Sequence, residues 1–403
     1  MNILFPSISK IDPLHKEGIY NSLLKQFLDN GHTVYVVTPV ERREKRRASI
    51  KRTKNLTIVE VNSLNLFGTN ILEKGLSNIF ISRLFLKVIR KFLSGIKIDL
   101  ILYATPPVML SPLIKKIKEE NPNATTYLML KDIFPQNAVD IGMIKQGSIL
   151  HKLFLKQERS LYTLSDYIGC MSQGNKDYLL QHNDYLDPKR IELLPNATVI
   201  RDEDPISSDD KKEIRAKYGI PEDSILFLYG GNFGKPQGID FILKVLENNI
   251  NKPQIYFFFV GRGTEFYRIK DFVCSRQSHN IGVHSFLPKQ EYDSLMKAAD
   301  VGLIFLDYRF TIPNFPSRLL SIIGNRQPVL MASDPNTDMP QIIRNNDFGY
   351  TAFSNDVAEF TRIIDHIRTH PEELKSKGLN GYEFLKANYD VKDAYKTIIK
   401  HFE

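Results

Sequence analysis

Two glycine-rich stretches carry the strongest chemical signal in this sequence. The first, Gly230-Gly-Asn-Phe-Gly-Lys-Pro-Gln-Gly238, follows the apolar run Ile225 to Tyr229 and precedes an amphipathic segment opening near Ile239. The second, Gly261-Arg-Gly263, ends the run Gln254 to Val260. A glycine-rich turn from strand to helix brings amide groups and a helix N-terminus to an anion, and Lys235 adds a full charge. The pattern suits a phosphate; the same glycines also suit a tight turn that needs only positive φ. G-x-G-x-x-G is absent, so the expected ligand is a phosphate-bearing mononucleotide rather than a dinucleotide, held at the carboxyl edge of a sheet.

The first half holds groups that could take a proton from a hydroxyl: Asp132, after the apolar run Thr125 to Leu130, and His15 and Glu17, ahead of the first helical segment. Asp132 could equally cap a helix, and His15 could be a solvated loop residue. Residues 42–54 hold eight cations in thirteen positions, among them Arg42, Arg43, Arg46 and Arg47. Residues 79–93 set large apolar side chains beside Arg83, Lys87, Arg90 and Lys91. Both features fit an interfacial surface for anionic lipid, and the second also fits a buried helix with a solvated basic face. The only Asp-x-Asp, Asp202-Glu-Asp204, falls in a polar stretch and reads as a solvated acidic loop, so no metal or other cofactor is expected.

These groups must be positioned by α/β units. Strand-like runs at Asn2 to Pro6, Thr33 to Thr38, Leu56 to Val61, Ile98 to Tyr103, Thr125 to Leu130, Tyr167 to Met171 and Ile191 to Leu194 alternate with helical-period segments, a rhythm that implies a parallel sheet. It restarts at Ile225 after a polar stretch. Across 403 residues this predicts a domain at 1–200, a linker at 201–222, a second α/β domain at 223–385 and a closing helix at 386–403. Two cysteines, Cys170 and Cys274, are too few for a disulfide framework and are expected to be buried. No apolar run approaches the ~20 residues of a spanning helix and no secretory signal opens the chain, so a cytoplasmic protein is expected. Residues 1–200 hold 28 Lys and Arg against 18 Asp and Glu, the remainder 26 against 28, so the first half faces something anionic.

In these segments the chain resembles the GT-B glycosyltransferases of family 4, over nearly its whole length. The resemblance is carried by Gly231-Asn-Phe-Gly-Lys-Pro-Gln-Gly238, Phe259-Val-Gly-Arg-Gly263, Leu287-Pro-Lys, Ala298-Ala-Asp-Val-Gly302 and Pro316-Ser-Arg-Leu-Leu, with Lys131-Asp-Ile-Phe-Pro-Gln136, Leu194-Pro-Asn-Ala197 and Glu158 in the first half. Within the family it is most similar to transferases of capsule and O-antigen assembly that move N-acetylated 6-deoxyhexosamines, especially N-acetyl-L-fucosamine, from UDP. The resemblance implies two Rossmann-like parallel-sheet domains facing a cleft, with the closing helix crossing back to the first. It implies a UDP-sugar on Gly231, Asn232, Lys235, Gly261, Arg262, Gly263, Ser317, Arg318 and Ser321. Its acceptor would be an undecaprenyl-diphosphate-linked saccharide on the first domain, near Gly18, with the protein peripheral on the inner face of the cell membrane.

The chain departs from the family at several points. The Glu-x7-Glu positions are Pro313 and Ser321, Arg326 stands for the following glycine, and Asn232 replaces the arginine usual in the first glycine stretch. Lys235, Arg262 and Arg318 are left to offset the charge of the leaving diphosphate. A UDP-sugar 2-epimerase of the same fold would need no membrane patch. A nucleic-acid-binding module is disfavoured because the 42–54 cluster lacks interleaved aromatics.

Overall fold

In the computed structural model residues 1–66, 71–202 and 205–403 are described, those from 71 to 79 by their backbone alone. The chain divides into two compact units, Met1–Val199 with Asp390–Glu403, and Ile200–Tyr389.

The first unit is built on strands β1 (Asn2–Pro6), β2 (Thr33–Glu41), β3 (Ile50–Arg52), β4 (Leu56–Ser63), β5 (Leu100–Thr105), β6 (Thr125–Leu130), β7 (Tyr167–Cys170) and β8 (Ile191–Leu193). Its helices are α1 (Ile19–Asp29), α2 (Ile71–Phe92), α3 (Ser111–Glu120), α4 (Gln136–Asp140), α5 (Ile149–Leu164) and α6 (Gln173–His182). The sheet order is β3-β4-β2-β1-β5-β6-β7-β8, with only β3 antiparallel to its neighbour. A parallel sheet covered on both faces buries consecutive residues, and Leu100 to Tyr103 are all fully buried. Helix α1 buries Leu23, Leu24, Phe27 and Leu28, a three-and-four spacing that lines one face, and Gly31 ends it at φ 80°.

The second unit carries β9 (Ile225–Asn232), β10 (Ile255–Arg262), β11 (Ile281–His284), β12 (Val301–Phe305), β13 (Val329–Ser333) and β14 (Gly349–Phe353). Its helices are α7 (Ser208–Lys217), α8 (Ile239–Asn249), α9 (Phe266–Arg276), α10 (Lys289–Ala298), α11 (Arg318–Gly324), α12 (Met339–Asn345), α13 (Val357–Thr369) and α14 (Glu373–Asn388). The order β11-β10-β9-β12-β13-β14 is parallel throughout. Alternate residues of β9 serve opposite layers: Phe227 and Tyr229 join an aromatic core with Phe257, Phe259 and Phe305, while Leu226 and Leu228 pack with Leu295 and Met296.

The last helix, α15 (Val391–Ile399), belongs to the first unit, as the resemblance implied. Val391, Ala394 and Ile398 complete its core, and Tyr395 meets Phe27 ring to ring at 5.0 Å. His401 stacks on Tyr167 at 3.5 Å and pairs with Glu192, which also accepts from Lys400 at 2.6 Å.

Two sequence expectations are corrected, and two strands are added to the predicted runs. Strands β9 and β10 run on through Gly231 and Gly261 to Asn232 and Arg262, so these glycines sit in paired strand ends and not in a loop. Strands β3 and β14 lie at sheet edges where little alternation marks them. Cys170 is buried, but Cys274 is exposed on α9.

Candidate functional site

At the carboxyl edge of the second sheet, Gly231 pairs with Gly261 and Asn232 with Arg262. The glycines there make room for neighbours. A Cβ on Gly261 would stand 1.7 Å from the Gly231 carbonyl oxygen, and one on Gly263 would stand 2.0 Å from that of Phe233. A Cβ on Gly230 would strike the Tyr292 ring, and one on Gly231 would lie 2.9 Å from Arg318 Nη2. Part of the following turn's amides are paired within the unit. Phe233 N donates to Arg262 O at 2.8 Å, Gly234 N to Gln237 Oε1 at 3.0 Å, and Gln237 N and Gly238 N to Gly234 O and Lys235 O. Side chains that could meet an anion stand at the same edge.

Those side chains are Lys235, Arg262 and Arg318. Arg318 opens α11 and lays its guanidinium on the Tyr229 ring, 4.2 Å from the centroid. Its Nη1 is buried and has no hydrogen-bond partner among the described residues. Burial raises the Tyr229 phenol above its ordinary pKa, with Arg318 opposing. Arg262 is exposed and covers Phe286 at 4.4 Å; Lys235 and Asn232 are exposed. Ser317 precedes α11 without capping it by its side chain, and Ser321 lies exposed on that helix. Arg326, where the family has glycine, adopts φ 55°, stacks on Tyr382 and bonds Asp202 at 3.1 Å. Of the Asp-x-Asp, Glu203 and Asp204 lie outside the described residues. Among the described residues no cluster of three His, Cys, Asp or Glu could hold a metal ion.

In the first unit His15 is exposed, and its Nδ1 lies 2.9 Å from Oδ1 of the buried Asp12. Burial would raise the Asp12 carboxyl, but the bond to His15 and the charge of Lys51, 3.4 Å away, outweigh it and hold the pKa below its ordinary value. This contact turns Nδ1 toward Asp12 and leaves Nε2 on the solvent side of the ring. Asp12 was missed in the sequence, although its place three residues before His15 is the available signal. Glu17 is exposed beside Gly18, which starts α1 at φ 135°.

Asp132 lies elsewhere along the sheet edge, after β6. It caps no helix: α4 begins at Gln136, and Asp132 Oδ2 instead accepts from Asn137 Nδ2 at 2.6 Å. Its Oδ1 is buried and unpartnered among the described residues, and burial pushes the carboxyl up to about 6 against the Asn137 and Ile133 hydrogen bonds. The neighbouring Lys131 donates to Leu194 O at 3.1 Å, and burial pulls its ammonium down to about 7. Phe134 meets Phe154 of α5 at 4.9 Å, and the same helix carries Glu158, raised by burial to about 7 although Tyr162 donates to it.

The basic stretch is less free than its composition suggests. Arg46 grips Glu60 through two bonds of 2.6 Å, which together with Ser49 lowers Glu60 to about 2 despite burial. Arg43 pairs with Glu41 at 3.0 Å. Arg42 and Arg47 are exposed and make no ion pair among the described residues. Helix α2 buries Ile81, Phe85 and Ile89 and turns Arg83, Lys87, Arg90 and Lys91 outward around an open depression of about 450 Å³; Arg90 pairs with Glu120 there. Among the described residues no helix is long and apolar enough to cross a membrane.

Comparison with known proteins matches this architecture part by part. Residues 20–200 match the family described as "Glycosyltransferase Family 4", and residues 210–384 the one described as "Glycosyl transferases group 1". "Probable glycosyltransferase WbjE" of Pseudomonas aeruginosa is 25% identical over 327 residues, 79% of this chain and 77% of that one. Sucrose-phosphate synthase from Thermosynechococcus elongatus superposes with a TM-score of 0.76 at 15% identity, over 100% of this chain and 98% of that one. Anabaena HepE in complex with UDP-glucose gives 0.71 at 14% identity, over 100% and 99%. With a family 4 domain followed by a group 1 domain, on two Rossmann-like parallel sheets, the chain is a GT-B glycosyltransferase.

Proposed function

We propose that the protein transfers a sugar from a UDP-sugar to a polyprenyl-diphosphate-linked saccharide, undecaprenyl being the lipid, at the inner face of the cell membrane. The sugar we assign is an N-acetylated 6-deoxyhexosamine such as N-acetyl-L-fucosamine, added during capsule or O-antigen synthesis. The observation that carries the donor half is Arg318, whose guanidinium lies on Tyr229 in the room that Gly231 leaves at the glycine-lined strand edge, with Nη1 unmatched among the described residues. UDP-glucose bound by HepE, a neighbour of the same fold, supports a UDP-sugar.

In the transfer the acceptor oxygen bonds the anomeric carbon as the bond from that carbon to the diphosphate oxygen breaks. UDP leaves with the electron pair, and the hydroxyl proton passes to a basic side chain. Arg318, Lys235 and Arg262 stabilise the charge that develops on the diphosphate. The proton acceptor we assign is His15, oriented by Asp12, with Asp132, whose pKa of about 6 leaves it a carboxylate near neutrality, as the alternative base. Since the protein supplies the positive charge, transfer is expected to need no metal.

The test is a screen of UDP-sugars for UDP release with membrane-extracted acceptor, run with and without EDTA. Release that depends on acceptor and survives EDTA is the expected result. Conversion of the UDP-sugar to its epimer without acceptor and without net UDP release would point to an epimerase. Loss in EDTA restored by Mg²⁺ would overturn the metal-free reading.

A further inference from the structure

Helix α5 presents its apolar side chains the wrong way round at its N-terminal end. Ile149 is 89% exposed, Leu150 48%, Leu153 38% and Leu155 40%, and Met143 in the preceding turn is 58% exposed. Five of the sixteen large apolar residues exposed in the described chain thus fall within thirteen consecutive positions. At 100° per residue Ile149, Leu153 and Leu150 span one stripe, while the buried His151 and the half-buried Phe154 and Glu158 lie on the other side; Leu155, 40% exposed, falls beside His151 and is not part of the stripe. An exposed, contiguous apolar stripe on a folded unit marks a surface that is covered in use.

Charge indicates the cover. Residues 141–157 contain no Asp or Glu, and Lys145, Lys152 and Lys156 stand exposed around the stripe. The helix start is also firmly set: Ser148 caps it by accepting from His151 N at 3.2 Å, and Gly147 N donates to His151 Nδ1 at 3.1 Å. Helix α5 shares its layer with the basic helix α2. Ser82 of α2 bonds Met109 O at 2.6 Å, and Ser160 of α5 meets Ser111 two residues along the same segment at 2.6 Å. Leucines for the acyl boundary and lysines for the headgroups, without an acidic residue among them, match an anionic bilayer surface.

We propose that the turn at 143–148 and the first two turns of α5 insert into the interface of an anionic membrane, and that this end of α5, more than α2, is the part of the protein that enters the lipid. The assignment rests on the membrane reading above and adds to it the element that penetrates. It gives α2 and its depression a supporting electrostatic part.

The test uses the full chain with the exposed Cys274 removed as C274S, since Cys170 is buried. A single thiol is introduced as L150C, or as L379C on the second unit for comparison, and coupled to a polarity-sensitive dye. Vesicles are phosphatidylcholine with or without phosphatidylglycerol, and bound protein is followed by sedimentation. The expected result is a blue shift of the dye at position 150 with anionic vesicles only, and none at position 379. The double variant I149E/L150E should keep its melting temperature, since both side chains are exposed, and bind anionic vesicles more weakly by about tenfold or more. Sedimentation with the dye at 150 still in water overturns the insertion and leaves the membrane reading standing. Failure to sediment at low salt overturns both. A wild-type dimer by light scattering that I149E/L150E converts to monomer would assign the stripe to a second copy and overturn the proposal.

Discussion

Arg318 lies with its Cζ 4.2 Å from the centroid of the Tyr229 ring, at the point where Gly231 leaves space for its Nη2. A cation stacked on a buried ring is held in one orientation before any ligand arrives, which is what stabilising a developing charge requires. R318A is expected to lower kcat/KM for UDP release by ~10²–10³. R318K keeps the charge but loses the planar stack, so an intermediate rate is expected. K235A should also lose turnover, with an unchanged melting temperature because its side chain is exposed. Near-normal kinetics in both alanine variants would remove the donor site from this edge.

G261A tests the strand pairing beneath that site. Gly261 has φ 153°, and an added Cβ would stand 1.7 Å from a backbone oxygen, which no side-chain rotation relieves. The ends of β9 and β10 must then separate. A melting temperature several degrees lower and loss of donor binding together are expected, measured by thermal unfolding and by titration with UDP; for a unit this size a few degrees corresponds to about 1–2 kcal/mol.

Asp12 and His15 should act as one unit. Asp12 holds Nδ1 and so fixes which ring nitrogen faces the solvent. H15A and D12N are each expected to slow transfer, and the double variant should be no slower than H15A alone, because the carboxylate works through the ring. Additive losses in kcat would show that the two residues do separate things.

Asp132 makes a prediction about pH. Its carboxyl is raised by burial from 3.8 to about 6, so the folded state binds a proton that the unfolded chain has already lost. The stability this proton supplies is complete below pH 3.8 and disappears as pH rises through about 6. D132N cannot ionise. The melting temperature of D132N minus that of the wild type should therefore rise between pH 4 and pH 7 and level off above. A difference that stays flat would mean that the carboxyl is not proton-loaded.

The basic stretch separates into two kinds of arginine. R42E/R47E should weaken binding to anionic vesicles, more so at low salt, without lowering the melting temperature. R46E instead sets a carboxylate against Glu60 and should lower it. Equal thermal losses in both would return the whole stretch to a structural role.

The strands and the ligand-bearing edge were legible because buried parallel strands are written as continuous apolar runs: Ile225 to Tyr229 and Tyr256 to Val260 need no knowledge of their neighbours. What the glycines were for was not legible. Gly230 and Gly231 leave room for the Tyr292 ring and the Arg318 guanidinium, more than sixty positions downstream, and Gly261 and Gly263 for the backbone of Gly231 and Phe233 on the neighbouring segment; only the fold brings these together. The cations of 42–47 misled for a related reason: composition counts charges, whereas Arg46 finds Glu60 across a turn fourteen residues away. Helix α5 was passed over because its leucines look like core residues until the sheet shows which side is inside.

Tyr395, Lys400 and His401 are bound to His32 and Glu192, so the first sheet is finished by the last residues of the chain. Residues 200–389 are thereby an insertion within one domain. During synthesis at ~5–20 residues per second, the early part of that domain waits roughly 10–40 s for its closing helix, while the inserted domain can fold first. The nascent chain therefore spends that interval with the α1 surface that α15 later covers still open, and the domain exposed to mispairing longest is the one whose residues were made first.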